Sequence, residues 1–162
     1  MNKSKLTNFF SNLIILIIIF LIDRVSKLYI LKLAEVENTV DIYVTSYLNL
    51  FLIWNKGVAF GLLSVDESLV YNIVTVIIVI IVLIILLMIT RSEGLEKYAL
   101  SCVFGGAIGN LFDRFYYSAV PDFIDFHIAG FHWFIFNIAD IFITLGVICL
   151  IYVEIFTHKN QK

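Results

Sequence analysis

Four long apolar runs dominate the chain, separated by segments of mixed polarity. Residues 12–33 are charged only at Asp23, Arg24 and Lys27 and, next to the end, Lys32, and residues 69–90 carry no charge at all. Residues 98–117 stay apolar until Asn110, Asp113 and Arg114, and residues 136–156 carry amide or acidic groups only at Asn137, Asp140 and Glu154. Each run has about the 20 residues a helix needs to cross a bilayer. The pattern predicts four transmembrane helices at 12–33, 69–90, 98–117 and 136–156, with outward segments at 34–68 and 118–135. The single proline, Pro121, falls between spans, so no spanning helix is kinked by proline. Within 40–53, β-branched and aromatic residues mix with polar ones, a composition that suits short strands. Residues 58–63 would form an interfacial turn of helix. In 118–135, Phe123, Ile124, Phe126, Phe131, Trp133 and Phe134 would place their side chains at headgroup depth. The expected fold is therefore a membrane all-α protein, one domain over 1–162, with a small outward-facing β-rich segment between helices 1 and 2. The chain shows no internal repeat.

Composition supports this reading and excludes others. The chain is 61% hydrophobic and 15% charged, against about 45–50% and about 25% for soluble domains. A core of 162 residues cannot hide that much apolar surface from water. With 11 basic and 13 acidic residues and no basic run, nucleic acid is excluded as a partner. Lysine and arginine bias sets the orientation: Lys3, Lys5, Arg91, Lys97, Lys159 and Lys162 fall on one side, and only Lys32 and Lys56 on the other. Both termini are thus expected in the cytoplasm. Lys3 and Lys5 before an apolar run resemble a secretory signal, but no small-residue cleavage site follows, so the first span is expected to be retained. Cys102 and Cys149 sit in apolar runs and read as small hydrophobes.

Ionisable groups inside spans are costly and mark functional sites by default. Asp23 and Lys27, four apart, share one helix face, with Asp23 near mid-depth. Asn110, Asp113 and Arg114 stand at the outer end of the third span, Asp122 just beyond it, and Asn137 and Asp140 at the outer start of the fourth. Each has a plain structural reading: an ion pair between helices, an interhelical amide, a helix cap at Asn137, a snorkelling Arg114. Their arrival at one depth favours a shared site. No serine or cysteine stands beside a histidine. His127 and His132, five apart, suit neither adjacent helical turns nor one face of a single strand, and read as interfacial residues, so no metal site is expected. Gly105, Gly106 and Gly109 read as close-packing positions. What remains is carboxylates: two aspartates close together in low dielectric share one proton, so one can activate water while the other donates to a carbonyl. Asp113, Asp122 and Asp140 all qualify, and periodicity does not choose among them.

The motifs then become specific. In order they are Asp23-Arg-Val-Ser-Lys27, Asn55-Lys-Gly57-Val-Ala-Phe-Gly61, Gly105-Gly-Ala-Ile-Gly-Asn110-Leu-Phe-Asp113-Arg114, Val120-Pro-Asp122-Phe-Ile-Asp125-Phe and Phe136-Asn137-Ile-Ala-Asp140. With them the chain resembles the lipoprotein signal peptidases (signal peptidase II), four-helix aspartyl peptidases of the bacterial inner membrane. The resemblance implies a catalytic pair at Asp122 and Asp140. It implies a supporting pocket of Asp23, Lys27, Asn55, Gly57, Asn110, Asp113, Arg114, Asn137 and Ala139. It also implies a diacylglyceryl-modified prolipoprotein as substrate, cut just before its lipidated cysteine, in a membrane-lipid setting with no cofactor and no need for more than a monomer. Pro121 and Ile141 depart from the residues the family commonly places there, which bears on substrate preference and removes no reacting group. Two rivals predict otherwise. A proton or ion pathway would spread acidic groups through the membrane depth, and a non-catalytic assembly protein would tolerate loss of Asp122 and Asp140.

Overall fold

The computed structural model describes residues 3–57, 67–128 and 131–157. Eight elements follow in order: α1 (Lys3–Glu37), β1 (Asp41–Thr45), β2 (Leu48–Asn55), α2 (Glu67–Arg91), α3 (Gly94–Tyr117), β3 (Val120–Ile128), β4 (Phe131–Phe136) and α4 (Ile138–Thr157). All four expected helices form: α1 begins nine residues earlier and ends four later than predicted, α3 begins four earlier, and the bounds of α2 and α4 agree within two residues. By length and composition, Ser68–Arg91 and Ile138–Phe156 qualify as membrane spans. The charges of α1 and the polar end of α3 interrupt the other two helices. Helix α1 ends at Asn38 and α3 at Ser118, whose left-handed backbones (φ 62° and 57°) turn the chain out of each helix. The expected interfacial turn at 58–63 lies outside the described residues.

The expectation for the sheet needs correction. Residues 40–53 do form strands, but 118–135, expected only to present aromatic rings, supplies two more, and the four make one antiparallel sheet in the order β1-β2-β3-β4. Strand β2 pairs with β3 across the whole of α2 and α3, with Asn55 opposite Val120 and Ile53 opposite Asp122. The segments that link α1 to α2 and α3 to α4 therefore meet in one sheet. Its apolar side joins the end of α1: Ile30, Val40 and Phe123 form a buried cluster with Leu33, Leu50, Leu52 and Ile138 packed around it. At the other end of the bundle, Ile85, Ile89, Leu100 and Val103 tie α2 to α3, with Ile143 and Leu150 of α4 against them.

The outer faces of the helices are as apolar as their inner ones. Ile77, Ile80, Leu83 and Leu87 of α2 are each half exposed or more, as are Ile14, Leu21, Val25 and Leu28 of α1. Such a coat suits hydrocarbon, where apolar side chains carry no penalty and close packing has to hold helices together. Small residues provide that packing. Added Cβ atoms at Gly105, Gly106 and Gly109 of α3 would meet Ile19, Ala139 and Asp23 respectively, so this one face takes α1 and α4 at contact distance. At Gly106 the atom would lie 2.5 Å from the carbonyl oxygen of Ala139, a backbone group that cannot step aside. Gly106→Ala is expected to push α4 off α3 and lower stability by about 1–3 kcal/mol. Thermal unfolding of the variant beside the wild type in detergent measures the loss.

Candidate functional site

The polar ends of α1, α3 and α4 meet beneath the sheet. Asp23, Lys27, Asp113 and Asn137 are fully buried, and Arg24 and Asp122 nearly so. Lys27 Nζ lies 2.9 Å from Asp23 Oδ1 and 2.6 Å from Asp113 Oδ2, and donates to Asn110 Oδ1 at 2.9 Å. Arg24 closes the same ring from the other side, at 2.8 Å from Asp23 and 2.5 Å from Asp113. Two cations and two anions leave the cluster neutral, which is how four charges survive burial. Arg24 was not legible as a partner: one residue from Asp23, it points about 100° away around an ideal helix. It reaches the network by folding back between Phe20 and Phe112, with its guanidinium 5.8 and 4.9 Å from the two ring centroids.

This network separates the three candidate aspartates. Asp113 is held by two cations in the ring. Asp122 and Asp140 have no cation partner among the described residues and are held by amides instead. Asp122 accepts from Asn55 Nδ2 at 2.9 Å and from Asn137 Nδ2 at 2.6 Å. Asp140 Oδ1 accepts from Asn110 Nδ2 at 2.8 Å. Its Oδ2 accepts from the backbone N–H of Asn137 at 3.0 Å, while Asn137 Oδ1 accepts the N–H of Asp140 at 3.2 Å. That reciprocal pair is a capping box at the start of α4. Asn137 thus has the capping role its position suggested and, in addition, bonds both carboxylates. Asn110 joins Asp140 to Lys27, so the amide pair links the two aspartates to the ion network.

Ala139, completely buried, enters through its backbone: its N–H donates to Asp23 Oδ1 at 3.1 Å, tying α4 to α1. Asn55, at the end of β2, has its amide oxygen fixed by the N–H of Gly57 at 2.7 Å, which leaves the NH2 to face Asp122. Gly57 has φ 78°, and a Cβ there would lie 2.8 Å from Arg114 Nη2. The positive φ favours glycine there, and an added Cβ would displace the Arg114 guanidinium. Arg114 stacks near Tyr71 (5.6 Å) and donates to the Lys56 carbonyl at 3.5 Å, while Tyr71 donates to the Arg114 carbonyl at 2.6 Å. Tyr71, from the uncharged run of α2, was another residue the pattern did not single out. Every expected site residue therefore joins one connected assembly, with Asn55 and Gly57 at its exposed edge and Arg114 buried behind them.

The reading of the two histidines is corrected. Spacing of five excludes one face of a single strand, but the chain reverses between them: His127 of β3 pairs with His132 of β4. Cross-strand partners share a face, so they meet beside Asp125.

Burial pushes the Asp122 carboxyl up from its ordinary 3.8 to about 6; the amide bonds from Asn55 and Asn137 pull it down, and the charge of Asp140 adds to the rise. A buried, proton-holding carboxyl beside a second carboxylate is equipped to pass protons to and from a polar substrate. The fold and the site together define an apolar helical protein built around a paired-carboxylate centre.

Comparison with known proteins gives that class its family. The profile described as "Signal peptidase (SPase) II" matches residues 15–156. The chain is 58% identical over 162 residues to the lipoprotein signal peptidase of Pelagibacter ubique (strain HTCC1062), covering 100% of this chain and 97% of that one. It is 41% identical over 148 residues to that of Anaplasma phagocytophilum (strain HZ), covering 88% and 90%. A bacterial membrane enzyme solved by the in meso method at 2.3 Å superposes with a TM-score of 0.70 at 29% identity, covering 94% of this chain and 92% of that one. The chain belongs to the signal peptidase II family. It is a peptidase, and a membrane protein.

Two predictions follow from the electrostatics. Lys27→Met would leave Asp23 and Asp113 sharing only Arg24, and is expected to lower stability by about 3–5 kcal/mol, read from unfolding in detergent. For Asp122, the folded carboxyl holds its proton more tightly than the unfolded one. Ionised, it costs about 3 kcal/mol above pH 6, a cost that disappears as the pH falls towards 4. Asp122→Asn should therefore be more stable than the wild type at pH 7.5 and lose that advantage by pH 4.5. A stability difference that does not change with pH would contradict the raised carboxyl.

Proposed function

We propose that this protein is an aspartic endopeptidase that removes the signal peptide from diacylglyceryl-modified prolipoproteins, cutting just before the lipidated cysteine. The observation that carries the reading is Asn137, which bonds Asp122 and Asp140 at once and so holds two carboxyls at one place without a cation between them.

Two such carboxyls share one proton across the pair. In the proposed reaction the ionised member takes a proton from water as its oxygen attacks the scissile carbonyl carbon. The protonated member gives its proton to the carbonyl oxygen. The C–N bond of the tetrahedral intermediate then breaks: the carboxyl that took the water proton passes it to the departing amine of the cysteine, and a hydroxyl proton of the intermediate returns to the other carboxylate, which restores the pair. Asn110 and Asn55 keep each carboxyl turned toward the other's partner amide. The ring of Asp23, Arg24, Lys27 and Asp113 is a fixed foundation: its charges are already satisfied, so it holds Asn110 and Ala139 without reacting.

The topology proposed is four spans with both termini in the cytoplasm of a bacterial inner-membrane protein, which sets the sheet and the two aspartates at the outer leaflet. A substrate held by acyl chains and an apolar signal helix presents its scissile bond at that depth. An open groove beside the sheet, lined by Leu28, Leu31, Ala34, Leu52, Trp54 and Tyr117 together with Lys32 and Glu35, offers a largely apolar surface there. Trp54 pairs with Pro121, next to Asp122. The segment from Asn55 to residue 63 would cover the peptide, although 58–63 lies outside the described residues.

The test is a gel-mobility assay with the purified protein in detergent and a diacylglyceryl-modified prolipoprotein. Wild type should cleave it, and Asp122→Asn and Asp140→Asn should each lower turnover by about 10²–10⁴. Asp113→Asn should mainly lose stability, with its folded fraction retaining activity. Undiminished cleavage by folded Asp122→Asn or Asp140→Asn would overturn the assignment of the pair.

A further inference from the structure

We propose a second site on this protein: a divalent transition-metal site made by Asp125, His127 and His132 on the β3–β4 hairpin. It lies apart from the carboxylate pair. Strand alternation directs residues 125 and 127 to the face of β3 opposite Asp122.

The geometry brings three ligating side chains to one point. His132 Nδ1 lies 2.8 Å from Asp125 Oδ2, and His127 Nδ1 lies 3.7 Å from the same oxygen. One donor atom from each residue falls within 4.8 Å of the others. In a tetrahedral site with metal–ligand bonds of about 2.0–2.1 Å, donor atoms stand roughly 3.3 Å apart. The two imidazole–carboxylate separations bracket that value, so side-chain adjustment within the hairpin would complete the ligand set. The imidazoles are stacked, with centroids 4.9 Å apart and planes 27° from parallel, which aims both Nδ1 atoms toward the one carboxylate.

A second observation is independent of this proximity. His127 Nδ1 is buried and has no hydrogen-bond partner among the described residues. The carboxylate that would be its natural acceptor is too far for a hydrogen bond and already accepts His132 through both oxygens. The amide oxygen of Asn49 is likewise buried without a partner, and Asn49 is the residue directly opposite Asp125 on β2. Buried polar atoms are almost always satisfied, and an ion bound at Asp125 would satisfy the imidazole directly. Two imidazoles and one carboxylate suit Zn²⁺ and its neighbours, not Mg²⁺ or Ca²⁺. Asp125 is buried while His132 is half exposed, so the site is anchored on one side and open to solvent on the other. Bound metal would clamp β4 to β3, and through β4 the chain leads directly to Asn137.

The experiment is titration of tag-free, full-length protein in detergent with ZnCl₂ by calorimetry, and with CoCl₂ by visible absorption. Wild type is expected to bind one equivalent saturably, with the Co²⁺ complex showing tetrahedral ligand-field bands. His132→Ala, at an exposed position that folding tolerates, should weaken binding by at least about 10-fold, and Asp125→Asn likewise. His158→Ala, which removes the only histidine outside the hairpin, should leave binding unchanged. Absence of saturable binding, binding that survives His132→Ala, or binding lost in His158→Ala would each overturn the proposal. All of these readouts are separate from peptidase activity.

Discussion

Everything at this site depends on the cost of leaving a charge unpaired in an apolar interior. Asp23, Arg24, Lys27 and Asp113 meet where α1 and α3 cross, and no one of them could occupy that position without the others. The ring sums to zero charge, so the helices approach without an electrostatic penalty that packing would have to overcome. Because a charged pair is satisfied only in one geometry, the network also fixes how α1 and α3 are rotated against each other. Helix α4 is then docked by a backbone bond, Ala139 to Asp23, and by the close contact at Gly106.

That arrangement sorts chemically identical side chains into different roles. Asp113 faces cations, bonded to both Arg24 and Lys27. Asp122 and Asp140 face carboxamides, which orient a carboxylate without removing its ability to take a proton. Asn110 stands between the two zones, its oxygen toward Lys27 and its nitrogen toward Asp140. Asp140 is also part of the cap of α4, so the element that positions it and the group it positions are the same few atoms. A carboxylate in the first turn of a helix gains from the helix dipole as well.

The sheet gives the aspartates their outer wall. Its central pair, β2 and β3, joins segments separated in sequence by two helices, and brings Asn55 across to Asp122. The same pairing sets β3 against β4, and so places the cluster of Asp125, His127 and His132 on the hairpin that leads into Asn137. An edge at Asn55 and Gly57 is exposed where Asp122 is buried, which is the side from which a polypeptide can approach.

By itself the sequence determined the helices and their approximate limits, the two strands in 40–53, and the list of polar residues that would converge. These follow from local properties: apolar run length, β-branched composition, and the cost of a polar group in a span. It left Asp113, Asp122 and Asp140 equivalent to any argument from periodicity, and only the family motifs ranked them. Tertiary structure decided which aspartate is neutralised by Arg24 and Lys27, because a charge partner contributed by another helix leaves no trace in local pattern. It also decided that 118–135 pairs with β2, and that histidines five apart face each other, because a chain reversal converts a spacing unfit for one strand into a cross-strand pair. Periodicity reports which side of an element is apolar; the neighbour that side meets is settled only when the elements pack.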